Sequence, residues 1–84
     1  MDKIRNEINK IDVQIIGLLG KRMKLAKKIG KLKKKAGLPV WDKMRERKLR
    51  KTYQTKAKTA GLSRDFIDGF FDVTFSESRR IQNK

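Results

Sequence analysis

Between Ile4 and Lys35 apolar residues recur at helical spacing, and no proline interrupts them. At ~100° per residue, Ile4, Ile8, Ile11, Ile15, Leu18, Leu19, Leu25, Ala26, Ile29 and Leu32 share one broad face. Lys10, Lys21, Lys24, Lys27, Lys28, Lys31, Lys34 and Lys35 gather on the other side, as an amphipathic helix requires. Such a helix is ~50 Å long. A chain of 84 residues has too little material to cover it with one compact bundle. A homodimer is therefore expected, with the long helices paired antiparallel about a two-fold axis.

Two cations break the pattern. Arg22 and Lys33 lie eleven residues apart, about three helical turns, and both point into the middle of the apolar face. An unpaired buried charge costs several kcal/mol, so these two call for an anion between them. Their Cα atoms are roughly 16 Å apart along the helix, which leaves room for a small molecule carrying two negative charges.

The rest of the chain reads as two shorter helices. Asp2 is expected to cap the first helix, with Glu7 suited to its early turns. Gly17 and Gly20 lie away from the apolar stripe and mark either a close helix approach or, the reading preferred, a weak spot, each ~1 kcal/mol poorer than alanine; Gly30 reads as neutral. Ala36-Gly37-Leu38-Pro39 ends the helix, because glycine suits a C-cap and proline cannot continue. Asp42 opens a second helix reaching about Ala60 and stopping at Gly61. Ser63 caps a third, from Arg64 to about Asn83, with Asp65 in its first turn. No strand alternation, repeat or linker appears, so residues 1–84 are expected to form a single all-α domain.

Each shorter helix also places polar groups inward. Leu49, Tyr53 and Ala57 mark the apolar face of the second, and Asp42, Arg45 and Glu46 share it. Asp42 and Glu46 are the only acidic residues between Val13 and Arg64. They are either pocket carboxylates or a helix cap with ion pairs to Arg45 and nearby lysines. On the third helix, Ile67, Phe71 and Thr74 continue into Ser78, Ile81 and Gln82. Ser78 and Gln82 are either ligand-binding groups or part of a solvated chain end. Arg5 lies at the border of the first stripe, roughly 25 Å from Arg22 along the helix. It is either a surface arginine or, in an antiparallel dimer, a group reaching the Arg22–Lys33 region of the other chain. Together these residues suit a small dicarboxylate bearing a hydroxyl, since arginine binds carboxylates in a two-pronged fork.

Composition narrows the chemistry. There is no cysteine and no histidine, which removes the disulfide framework, the thiolate nucleophile and the commonest general base and zinc ligand. Neither a metal nor a cofactor is expected. The start is charged from Asp2 onward and lacks the apolar run of a signal peptide. No segment approaches the ~20 apolar residues of a membrane span, so the expected setting is the cytoplasm. The net charge of +15 attracts anions of every kind without selecting one.

Several short motifs, in order, resemble the all-helical (AroQ-type) chorismate mutases. Ile4-Arg5-Asn6-Glu7-Ile8-Asn9-Lys10-Ile11-Asp12 is similar to that family's opening R-x-x-I-x-x-[IL]-D. Leu18-Leu19 with Lys21-Arg22 is similar to L-L-x-x-R, and Ile29-Gly30-Lys31-Leu32-Lys33 to [IV]-G-x-x-K. Pro39-Val40-Trp41-Asp42-Lys43-Met44-Arg45-Glu46 is similar to P-[VI]-x-D-x-x-R-E, and Ser78 and Gln82 match a C-terminal S-x-x-x-[QE]. The resemblance covers nearly the whole chain. It implies an intertwined helical dimer with two shared sites that converts chorismate to prephenate in aromatic amino-acid biosynthesis. It implies that Arg22, and Arg5 from the partner chain, hold the two carboxylates. Lys33 would contact a carboxylate and the ether oxygen of the breaking bond, and Gln82 would donate to that oxygen from the other side. Asp42 and Glu46 would orient the ring hydroxyl and neighbouring cations, Arg45 would line the pocket near a carboxylate, and Ser78 would add a supporting hydrogen bond. Lys33, Gln82, Arg22 and Glu46 are thereby expected to carry catalysis.

Two other readings compete. An isochorismate-pyruvate lyase shares the fold, but the acidic Glu46 favours the mutase. A basic helical nucleic-acid-binding module would explain the lysine face. It would not explain why Arg22, Lys33, Asp42, Glu46 and Gln82 point inward, and aromatics are not interleaved with the basic surface as single-strand binders require. Nucleic acid is therefore not the expected partner.

Overall fold

The computed structural model describes residues 1–84. It contains three helices and no strand: α1 (Asp2–Ala36), α2 (Lys43–Thr59) and α3 (Arg64–Gln82). The sequence signals account for most of the boundaries. Asp42 Oδ1 accepts from the Arg45 backbone N–H at 3.0 Å and starts α2. Ser63 Oγ accepts from the Phe66 N–H at 3.1 Å and starts α3. Gly37, at φ 67°, ends α1 in the left-handed conformation. There the Gly37 N–H donates to the Lys34 carbonyl at 3.3 Å and the Leu38 N–H to the Lys33 carbonyl at 2.9 Å, which satisfies two otherwise unpaired carbonyls. Gly61, at φ 76°, does the same for α2.

One boundary differs from expectation. Asp2 is not the cap of α1; Met1 occupies that position with no side-chain cap, and Asp2 lies inside the first turn. The Arg5 N–H already closes a turn on the Met1 carbonyl at 3.0 Å. The Asp2 carboxylate still sits at the positive end of the helix dipole.

α3 packs against both α1 and α2, which do not pack against each other. Aromatic side chains join α2 to α3: Tyr53 meets Phe71 at 4.4 Å between ring centroids, and Phe71 meets Phe75 at 5.5 Å. At the edge of this cluster Arg50 pairs with Asp72 at 2.5 Å, and Gln54 Nε2 donates to Asp68 Oδ1 at 2.8 Å. Between α1 and α3 the backbones come close, with Ala26, Gly30, Thr74, Phe75 and Ser78 buried.

The apolar face of α1 is divided rather than uniform. Leu19, Arg22, Met23, Ala26, Gly30 and Lys33 are buried or half-buried on the edge that meets α3. Leu18, Leu25, Ile29 and Leu32 on the other edge, and Ile4, Ile8, Ile11 and Ile15 before them, stay exposed. Arg22 and Lys33 stand at the seam between the covered edge and the open one. The molecule measures 53 × 23 × 15 Å. No helix is long and apolar enough to cross a membrane.

Candidate active site

A cleft of ≈ 550 Å³ opens where the second half of α1, the first half of α2 and the end of α3 converge. Its floor is apolar, with Leu25, Ala26, Ile29, Val40, Leu49, Tyr53 and Phe75. Its polar lining is Arg22 and Lys33 from α1, Asp42, Arg45 and Glu46 at the start of α2, and Ser78, Arg79 and Gln82 from α3. Arg22, Lys33, Asp42, Arg45, Glu46, Ser78 and Gln82 were all expected at the site, and one concavity brings them together. Arg5 is not among them. It lies in the first turn of α1, exposed, and roughly 25 Å from Arg22 along the helix.

The side chains are already connected. Lys33 Nζ donates to Gln82 Oε1 at 2.9 Å and to the Val40 carbonyl at 2.8 Å. Gln82 Nε2 donates to Ser78 Oγ at 3.1 Å, one turn back on α3. Lys33 therefore joins α1 to α3 and to the loop before α2 at a single nitrogen. Arg22 places its guanidinium 5.6 Å from the Phe75 ring centroid, within cation–π range. Across the cleft, Arg79 Nη1 donates to both oxygens of Glu46, at 2.6 and 2.5 Å.

These contacts decide between the alternatives left open by sequence. Asp42 caps α2 and also lines the cleft, without an ion pair to Arg45 or a nearby lysine. Glu46 does not pair along its own helix; its partner comes from α3. The end of α3 is not loose: the helix runs to Gln82, and Ser78 is buried.

Gly30, neutral by sequence, is required by the packing of α1 against α3. A Cβ there would lie 2.7 Å from Gln82 Cα and 2.8 Å from the Gln82 carbonyl oxygen. The missing side chain lets α3 approach closely enough for Gln82 to reach Lys33. No sequence signal singles out Arg79. Beside Arg80 near the chain end it looks like surface charge, although its place three residues before Gln82 puts it on a neighbouring part of the same helix face. Tyr53, on the apolar face of α2, also lines the cleft.

The lining supplies four cations, Arg22, Lys33, Arg45 and Arg79, against two carboxylates. The excess is positive and matches a dianion. The apolar part of the lining suits a carbocyclic ring. No nucleophile stands beside a base, so the arrangement favours binding and charge stabilisation over covalent chemistry.

Several known proteins are similar to this chain in sequence. The T-protein of Haemophilus influenzae is 32% identical over 81 residues, covering 96% of this chain and 22% of that protein. A bifunctional chorismate mutase/prephenate dehydratase of Buchnera aphidicola subsp. Schizaphis graminum is 36% identical over 80 residues, covering 95% of this chain and 21% of the relative. A bifunctional chorismate mutase/prephenate dehydratase of Aquifex aeolicus is 47% identical over 49 residues, covering 58% of this chain and 14% of the relative. The chain thus spans about a fifth or less of the length of these relatives. The profile of chorismate mutase type II matches residues 4–83, nearly end to end. The helices, the cleft and this match lead to one assignment: the chain belongs to the chorismate mutase type II family.

Proposed function

We propose that this chain rearranges chorismate to prephenate, as a homodimer in which Arg5 of each protomer completes the site of the other. The observation that carries the proposal is the Lys33–Gln82 contact at 2.9 Å, with Arg22 and Arg45 lining the same cleft. The reaction is an intramolecular Claisen rearrangement and needs no proton transfer or covalent intermediate. It needs the flexible substrate held in a compact reactive conformer. It also needs positive charge and donors where electron density gathers on the ether oxygen as the bond breaks.

The residues fit these tasks. Arg22 and the partner's Arg5 take the two carboxylates, with Arg45 beside them. Lys33 and Gln82 flank the ether oxygen. An ammonium has three N–H groups and a primary amide two. Lys33 uses two of its three within the protein and Gln82 one of its two, so each keeps a donor for the substrate. Glu46 and Asp42 accept from the ring hydroxyl, and Ser78 holds the Gln82 amide in place. No contact in the cleft favours the lyase alternative.

The test is chorismate consumption by purified protein, with the product identified. Prephenate is expected, and Arg22→Ala is expected to abolish its formation while leaving the helical circular-dichroism signal intact. A folded dimer that leaves chorismate unchanged overturns the proposal.

A further inference from the structure

We propose that Arg79 is a positioning residue: it holds the Glu46 carboxylate away from the cations that bind the substrate's carboxylates. This inference rests on the mutase reading above and adds a residue that reading does not use.

The geometry makes Arg79 a fixed clamp. Its Nη1 donates to both Glu46 oxygens. Its guanidinium carbon lies 4.6 Å from the centroid of the Trp41 ring. The guanidinium is thus held on one side by an aromatic face and at its end by a carboxylate, a combination that its planar delocalised charge favours. The two side chains are only 24% and 20% exposed, for Arg79 and Glu46 respectively. A partly buried, two-point contact of this kind is stronger than a surface ion pair.

The consequence follows from what else is near. Without Arg79, a half-buried Glu46 would still need a cation. Those remaining in the cleft lining are Arg45, Arg22 and Lys33. Each is assigned to the substrate. A Glu46 side chain that turned to any of them would neutralise a carboxylate-binding group and vacate the position from which it accepts the ring hydroxyl. With Arg79 in place, Glu46 is satisfied locally, and Arg22, Lys33 and Arg45 stay free for a dianion. Trp41 serves as the platform that keeps the Arg79 guanidinium from swinging into the cleft.

The proposal gives Arg79 no contact with substrate, and it acts only through Glu46. A double-mutant cycle tests that dependence. Chorismate kinetics are measured for the wild type, Arg79→Ala, Glu46→Gln and the double variant, with Arg79→Lys as the conservative change and circular dichroism for helix content. Arg79→Ala is expected to raise KM by roughly ten- to hundredfold, the scale of a hydrogen bond to a charged group, with a smaller fall in kcat. Arg79→Lys is expected to restore part of the loss. In the Glu46→Gln background, where no carboxylate seeks a cation, Arg79→Ala is expected to add little. Independent, multiplying effects overturn the proposal, as does an Arg79→Ala enzyme with wild-type KM. If Arg79→Ala does not fold, Arg79→Gln runs the same cycle. A wild-type protein that leaves chorismate unchanged overturns the mutase reading and this inference together. An active wild type with additive effects overturns this inference alone.

Discussion

At the scale of single residues, Lys33 joins more parts of the site than any other. It is also the group whose charge is best placed for the proposed chemistry. Its loss removes a fixed cation beside the breaking bond, so Lys33→Ala is expected to lower kcat by about 10²–10³. Circular dichroism should report the same helix content; near-normal turnover would remove the role assigned here. Gln82 makes a different prediction because an amide donates without taking up a proton. A carboxyl group donates only when protonated, and the neighbouring Lys33 favours its ionised form. Gln82→Glu is therefore expected to be nearly inactive at neutral pH and to recover as pH falls toward or below ~4, the ordinary glutamate range. A pH–rate profile of the two proteins checks this. The fold keeps some of its surface support through that window. Glu77 is held below the usual carboxylate range by its hydrogen bond to Arg80. A carboxyl depressed in the folded state contributes stability above its unfolded pKa and loses it only as pH falls through the lower folded one. That pair is exposed, and its contribution is small.

The elements make the site through one close approach. α3 can lay Gln82 beside Lys33 because Gly30 offers no side chain at the crossing. In Gly30→Ala the new methyl group meets backbone rather than a flexible side chain, so the helices must separate. Overpacking of this kind costs about 1–3 kcal/mol. The variant is expected to unfold at lower urea concentration and to lose turnover as well, because the 2.9 Å Lys33–Gln82 contact lengthens. Urea titration and kcat measured together check the coupling; a variant with reduced stability and full activity would separate the crossing from the chemistry. Gly17 and Gly20 differ, since a Cβ at either meets nothing within 4 Å in this chain. The weak spot expected at those positions is a matter of helix propensity, and no packing within the chain requires glycine there.

At the scale of the whole molecule, a single chain leaves most of its long helix uncovered. Only six residues are buried, too few for a core that would hold a 53 Å rod together on its own. The open edge of α1, with Ile8, Ile11, Ile15 and Leu18 all more than 40% exposed, is the surface a second copy would cover. The proposed dimer makes Arg5 and Arg22 of different chains share a site, which complementation can test. Arg5→Ala and Arg22→Ala proteins, each inactive alone, are unfolded together and refolded. A mixed dimer then contains one site with both arginines and one with neither. Random pairing is expected to restore up to about a quarter of wild-type activity. If both arginines served the same chain, no mixture would recover any.

The sequence by itself determined the three helices and their ends, apart from the start of α1, where Met1 rather than Asp2 is the cap, because caps, glycine stops and the 3.6-residue period are local. It also marked Arg22 and Lys33, since a cation on an apolar face shows in one helix alone, and the resemblance of its motifs marked Gln82 and Ser78. Only the tertiary structure decided what lies across from each residue. Spacing along α3 places Arg79 near Gln82 but says nothing of Glu46 on another helix, and a glycine in α1 looks neutral until α3 lies against it. The split of the α1 face likewise depends on where α3 crosses, because a helical period records which residues share a side and not which neighbour covers them.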